Sequence, residues 1–176
     1  MISRMVRAAM LDVDLYKEVE HTQNLTAEAL RVVIIVTALV GMGTALTAFF
    51  AGNLGGAVAG LFVRLAQILL AWVVISYATY YVGTHFFNGT ATFGQLLRTL
   101  GYAFSPGSLL LVSFIPVLGR LLQVIIALWA LSAGFVAVRQ ALNVSNERAA
   151  GTVAVALIPA LVGITILSIP LAWLPK

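Results

Sequence analysis

No cysteine occurs in the 176 residues. That removes disulfides, cysteine-ligated zinc and iron–sulfur clusters, and says nothing about compartment. No Asp or Glu lies between Glu28 and Glu147. Ion-coupled carriers place a carboxylate at depth in the membrane, so this gap speaks against that class. Charge of either sign is scarce beyond Arg31. Nine of the sixteen charged residues fall in the first thirty-one positions, and the other 145 residues hold seven. Catalytic motifs are missing too: there is no His-Glu-x-x-His, no Gly-x-Ser-x-Gly and no P-loop. The expectation is a protein that is not an enzyme and has no resident cofactor.

What is present is apolar. The chain is 61% hydrophobic and 9% charged, with a mean hydropathy of +1.05. Soluble domains average about 25% charged residues. Charge-free runs cover Val32–Val63, Leu65–Leu97, Thr99–Gly119, Leu121–Val138 and Ala149–Pro175. A bilayer core of about 30 Å takes about 20 apolar residues per helical crossing. The runs are continuous rather than alternating, which excludes a barrel and leaves helices to satisfy the backbone in lipid. The fold class expected is all-α: a polytopic integral membrane protein with about five transmembrane helices, an N-terminal amphipathic helix and a short interfacial helix. Residues 1–24 form the amphipathic lead-in, and 25–176 the bundle, with segments at about 27–50, 57–86, 104–118, 121–139 and 150–173.

Local signals refine this outline. Ile2, Met5, Val6, Ala9, Val13 and Tyr16 recur at helical spacing, which predicts a helix lying on the membrane surface. Asp12, Asp14, Lys17, Glu18 and Glu20 interrupt it, so it does not read as a secretory signal. Asn24 is a candidate N-cap. The glycines of Ala51–Gly56 mark a loop. Thr92 and Gln95 have capping-box spacing. Phe93, Leu96, Leu97 and Leu100 follow on one face, predicting an interfacial helix with Arg98 toward water. Ser105-Pro106 opens segment three, which Pro116 and Gly119 close. As an α-helix, Pro106–Leu118 would span only about 20 Å. Either Tyr102 and Phe104 extend it, or segments three and four form a hairpin that dips in and returns. Pro159 and Pro170 are expected kinks in segment five.

The net charge of +4 and pI of 9.9 do not point to nucleic acid, because the basic residues sit singly at segment ends. With the N-terminus cytoplasmic, the inner ends carry Arg4, Arg7, Lys17, Arg31, Arg98, Arg139 and Arg148. The outer ends carry only Arg64, Arg120 and Lys176. The positive-inside rule then gives N-terminus in, C-terminus out.

Five residues are candidate lipid- or partner-binding groups: Arg64, Arg98, Tyr102, Arg139 and Arg148. Arg64 lies inside segment two, where it meets a lipid phosphate or snorkels to the headgroups. Arg98 holds a phosphate or acidic partner, or anchors the interface. His85, after Tyr77, Tyr80 and Tyr81, is a candidate metal or pigment ligand, against the plainer reading of an interfacial side chain. Asp14, Glu18 and His21 share a helical face, a weak cation site or simply a solvated face.

Thr92–Pro106 (TFGQLLRTLGYAFSP), Ile115–Gly119, Leu128–Leu131, Val138–Asn143 and Arg148-Ala149-Ala150, in this order, resemble the Yip-domain family, the Ypt/Rab-interacting proteins. Gly101-Tyr102 matches the Gly-Tyr that follows that family's second crossing. Asp14-Leu15-Tyr16 resembles the Asp-Leu-Tyr of the eukaryotic branch, although Lys17-Glu18 stand where Gly-Pro would follow. The resemblance covers roughly residues 10–160 and is closest to short prokaryotic members. It implies five crossings, a cytoplasmic N-terminus and a prokaryotic cytoplasmic membrane. Three functions stand open: a scaffold that organises lipids or partners, an accessory subunit of an electron-transport or photosynthetic complex, and a small oligomeric channel or permease. The expected partners are membrane lipids and other membrane proteins, or further copies of the chain.

Overall fold

The computed structural model describes residues 1–115 and 117–172. Pro116 and Lys176, to which the sequence assigns a helix stop and an outer charge, lie outside them. Every regular element among the described residues is helical. The α-helices are α1 (Ile2–Ala9), α2 (Val13–His21), α3 (Thr26–Phe50), α4 (Leu54–Phe86), α5 (Phe93–Ala103), α6 (Leu118–Leu142) and α7 (Asn146–Ala172). Short 3-10 stretches occupy Gln23–Leu25 and Ser105–Phe114. Four stretches are long and apolar enough to cross a membrane: Gln23–Phe50, Gly60–Phe86, Leu118–Leu142 and Asn146–Ile166.

Segment three is not an α-helix, and its reach is no longer than the sequence predicts. Ser105–Phe114 is a 3-10 helix. Ten residues at about 2.0 Å rise reach about 20 Å, where an α-helix would reach about 15 Å. The stretch runs alongside α3 in the same direction. Gly107 faces Val36, Gly43 faces the Leu110 and Leu111 carbonyls, and Phe114 meets Phe50 with ring centroids 6.1 Å apart. It therefore reaches the far end of α3 instead of dipping and returning. The chain then turns at Val117, whose φ of 64° is strained for a β-branched residue. Helix α6 brings it back, and Leu142 packs against Gly83 and Gly89 beside the end of α4. Helix α7 runs antiparallel to α4, with Gly151 on Phe87 and Gly163 on Val74. The chain thus passes five times between a capped end, holding α1, α2 and α5, and a far end.

Small residues make these approaches possible. A Cβ on Gly43 would lie 2.6 Å from the Leu110 oxygen, and one on Gly41 2.6 Å from Leu61 Cδ1. Lipid tails are as apolar as side chains, so close packing rather than the hydrophobic effect joins spans.

Three local expectations change. The lead-in is not one surface helix. It breaks at Met10–Asp12, with Leu11 at φ 62°, and folds back as a hairpin. Leu15, Tyr16 and Val19 are wholly buried against α5 and α6. Asp12 rather than an apolar run starts α2, its side chain accepting from the Asp14 and Leu15 amides. Asn24 does not cap α3, because the 3-10 turn draws it in and Leu25 takes the N-cap position. The predicted Ala51–Gly56 loop is shorter, since α4 starts at Leu54 and only Gly52, at φ 79°, needs the left-handed region. Helix α7 continues through Pro159.

Large exposed apolar side chains ring the bundle. On α6 they run from Leu118 to Leu131 and on α7 from Val155 to Ile166. On α6 the ring stops where the α1–α2 hairpin covers the helix.

Candidate functional site

The capped end gathers nearly all the chain's ionic chemistry. Among the described residues every ion pair lies within residues 1–28. Arg4 bridges Glu18 (2.9 Å) and Glu28 (3.2 Å). Arg7 bridges Asp12 (2.7 Å) and Glu18 (3.3 Å). Hydrogen bonds donated to these carboxylates raise both guanidinium pKa values, with Glu18 the chief cause for Arg4 and Asp12 for Arg7. Arg7 in turn holds Asp12 below the usual carboxylate range. Glu18 is thereby spent on arginines and Asp14 on Lys17, so the Asp14–Glu18–His21 cation site does not form. No group of three His, Cys, Asp or Glu able to hold a metal occurs among the described residues.

Arg98 is not directed to water. It is 6% exposed, and it caps the C-terminus of α2. Its Nε donates to the Val19 carbonyl at 3.1 Å, its Nη2 to the Glu20 carbonyl at 2.7 Å and its Nη1 to Thr26 Oγ1 at 3.3 Å. The last carbonyls of a helix lack intrahelical donors and carry partial negative charge, so a guanidinium fork fits them. Burial lowers its pKa, opposed by the nearby Glu20 charge. Tyr102 is likewise buried, its hydroxyl donating to Glu28 Oε1 at 2.8 Å. Both residues hold the cap together beneath the hairpin that the sequence places on the membrane.

Glu20 went unsingled in the sequence and is 3% exposed. It accepts from Gln95 Nε2 and Asn143 Nδ2, both at 3.3 Å. Burial pushes its pKa up. Gln95 also completes the Thr92 capping box, as its spacing predicts. Glu20 thus ties α2 to α5 and to the end of α6. Only its place among the acids of an amphipathic helix marked it beforehand.

The other candidates stand apart. Arg64 is exposed on α4, with Nη1 donating to Gln67 Oε1 at 3.3 Å. Arg139 is half-buried and donates to Asn146 Oδ1 at 2.9 Å, with the Gln140 side-chain amide also against it. Arg148 is exposed at the start of α7. His85 is exposed and stacks on Tyr81 with ring centroids 4.3 Å apart, its Nδ1 2.9 Å from the Tyr81 carbonyl oxygen. Trp72 is buried and donates to the Leu97 carbonyl at 2.9 Å. Trp129 donates to the Ala9 carbonyl at 2.7 Å, which pins the end of α1 halfway along α6.

Helix α1 is turned in an unusual sense. Arg4 and Arg7 lean onto the acids and stay half-buried, while Ile2 (72%), Val6 (48%) and Met10 (73%) face out. These three recur every four residues and form an apolar stripe at the level where the α6 ring ends.

No curated protein and no solved structure matches the chain. The Yip1 domain model matches residues 14–169, from the second residue of α2 to near the end of α7. With four membrane-length apolar helices inside or overlapping that match, the chain belongs to the Yip1 domain family and is an integral membrane protein.

Proposed function

We propose that this protein is a non-enzymatic membrane scaffold, with its capped end cytoplasmic in a prokaryotic membrane, that organises lipid by inserting α1 into the adjoining leaflet. The inverted amphipathicity of α1 carries this reading. A helix at a water-facing surface turns its charges outward and its apolar side chains in. Here the arginines, 33% and 38% exposed, are paired with carboxylates while Ile2, Val6 and Met10 are more exposed still, so the solvent complementary to that stripe is acyl chain. The Trp129–Ala9 hydrogen bond supports the depth, because it joins α1 to the lower edge of the lipid-facing ring. Arg31, Arg139 and Arg148 at the same end have no carboxylate partner among the described residues and attract anionic headgroups. In this reading His85 belongs to the Tyr77–Tyr80–Tyr81 aromatic girdle and the chain uses no cofactor. Its partners are lipids and neighbouring membrane proteins.

The absence of cysteine makes the test clean. A Val6→Cys variant labelled with an environment-sensitive fluorophore and reconstituted into vesicles should be quenched by lipids brominated near the headgroup end of the chain. An unquenched Val6 label beside a quenched Leu121→Cys control would sink the wedge.

A further inference from the structure

Leu131 on α6 and Val153 and Leu157 on α7 border two spaces between the helices. On the inner side is an apolar cavity of about 230 Å³. On the outer side is an open groove of about 550 Å³, within the range of small-molecule sites. Phe135 and Val136 on α6 face Ala150, Ala154 and Leu157 on α7 across it, and Leu11 of the α1–α2 turn closes one end. The walls are almost wholly apolar, with Ser132 the one hydroxyl. That hydroxyl is occupied by the Leu128 carbonyl at 3.0 Å.

Two features identify the occupant. First, the groove is continuous with the lipid-facing ring. Leu131 lines it and is itself 45% exposed, and Ile158 and Leu161 continue outward from it along α7. Second, its other mouth is cationic. Arg139 follows Phe135 by one turn on α6, and Asn146 precedes Ala150 by one turn on α7. Arg139 Nη1 donates to Asn146 Oδ1 across the gap. Its side-chain contacts there, Asn146 and Gln140, are neutral. A guanidinium stays charged at any physiological pH, so this mouth holds an uncompensated positive charge one turn above an apolar slot.

We propose that the α6–α7 groove is a binding site for one anionic phospholipid of the adjoining leaflet. An acyl chain lies along Val136, Ala154 and Leu157, and the phosphate pairs with Arg139. Basic openings between membrane helices take lipid headgroups in this manner, and a guanidinium fork matches two phosphate oxygens. The site stands on α6 and α7, with Leu11 of the α1–α2 turn its one lining residue from outside them. The wedge test reads α1 alone, so the two fail separately.

The experiment is native mass spectrometry of the full chain from nanodiscs of three parts phosphatidylcholine to one part phosphatidylglycerol. The expected result is one retained phospholipid per chain, with phosphatidylglycerol enriched about three-fold over its bulk fraction of one quarter. Ala154→Trp places an indole in the open groove from an exposed position and should abolish retention. Arg139→Gln, which keeps a side-chain amide able to donate toward Asn146 but removes the charge, should return the retained lipid to bulk composition. Retention by Ala154→Trp equal to the unaltered chain, or unchanged enrichment in Arg139→Gln, overturns the site. A lipid-free dimer that Ala154→Trp dissociates would overturn it too, assigning the groove to a second copy.

Discussion

Arg98 carries the sharpest lesson at the scale of the residue. Its spacing on α5 places it opposite the apolar face, and from sequence that reads as a solvated position. The side chain instead reaches carbonyls nearly eighty residues away in the chain, at Val19 and Glu20. Removing it would leave two helix-terminal carbonyls buried without donors. Hydrogen bonds from charged groups contribute about 1.5–3 kcal/mol each, and unpaired buried acceptors cost similar amounts. Arg98→Ala should therefore destabilise the protein by about 3 kcal/mol, lowering the thermal midpoint in detergent by roughly 5–10 °C. Arg98→Lys should recover little, because an ammonium cannot span Val19, Glu20 and Thr26 as the planar fork does. A midpoint unchanged in Arg98→Ala would return the residue to the surface. Tyr102 follows the same pattern: its hydroxyl is spent on Glu28, seventy-four positions earlier.

Among the elements, the Ser105–Phe114 stretch shows where local rules stop. Ser105-Pro106 reads correctly as a helix start, and Pro106 stands in the first turn. The predicted span, Pro106–Leu118, was legible as too short for a crossing α-helix, but the 3-10 form was not. A 3-10 helix has poorer hydrogen bonds than an α-helix, and no propensity in SPGSLLLVSF selects it. The selection comes from α3, whose Gly43 lets the backbone at Leu110 and Leu111 approach to the distance of bare atoms. In Gly43→Ala the new Cβ would meet the Leu110 oxygen at 2.6 Å and the Leu111 oxygen at 2.9 Å, and neither can swing aside. The expected cost is about 1–3 kcal/mol, read as a lower thermal midpoint. Gly60→Ala is the matched control. Its Cβ meets nothing within 4 Å, so the helix should gain up to about 1 kcal/mol. Equal midpoints for the two variants would refute the packing account.

On the scale of the whole molecule, two kinds of cohesion meet. The cap is held as soluble proteins are, by Leu15, Tyr16 and Val19 removed from water and by the Arg4–Arg7 ion-pair network. The five passes are held by close contact at small residues. The proposed orientation, with the capped end cytoplasmic, rests on the unpaired arginines there. In intact cells a membrane-impermeant thiol reagent should label Ala51→Cys at the far end and spare Ser145→Cys beside Arg148. The reverse pattern would invert the topology. The sequence by itself determined the solvent of the chain, because charge-free runs of membrane length admit no other. It also determined the approximate segments, the Thr92–Gln95 capping box and the family, each carried by residues close together in the chain or by their order along it. Only the tertiary structure decided the 3-10 pass, the folding of the lead-in into a buried hairpin, the pairing of Arg4 and Arg7, the burial of Arg98, and the α6–α7 groove. Those depend on which faces meet after the chain has turned several times. Partners such as Glu28 and Tyr102, or Glu20 and Asn143, are fixed by helix packing and leave no periodic trace in the amino-acid order.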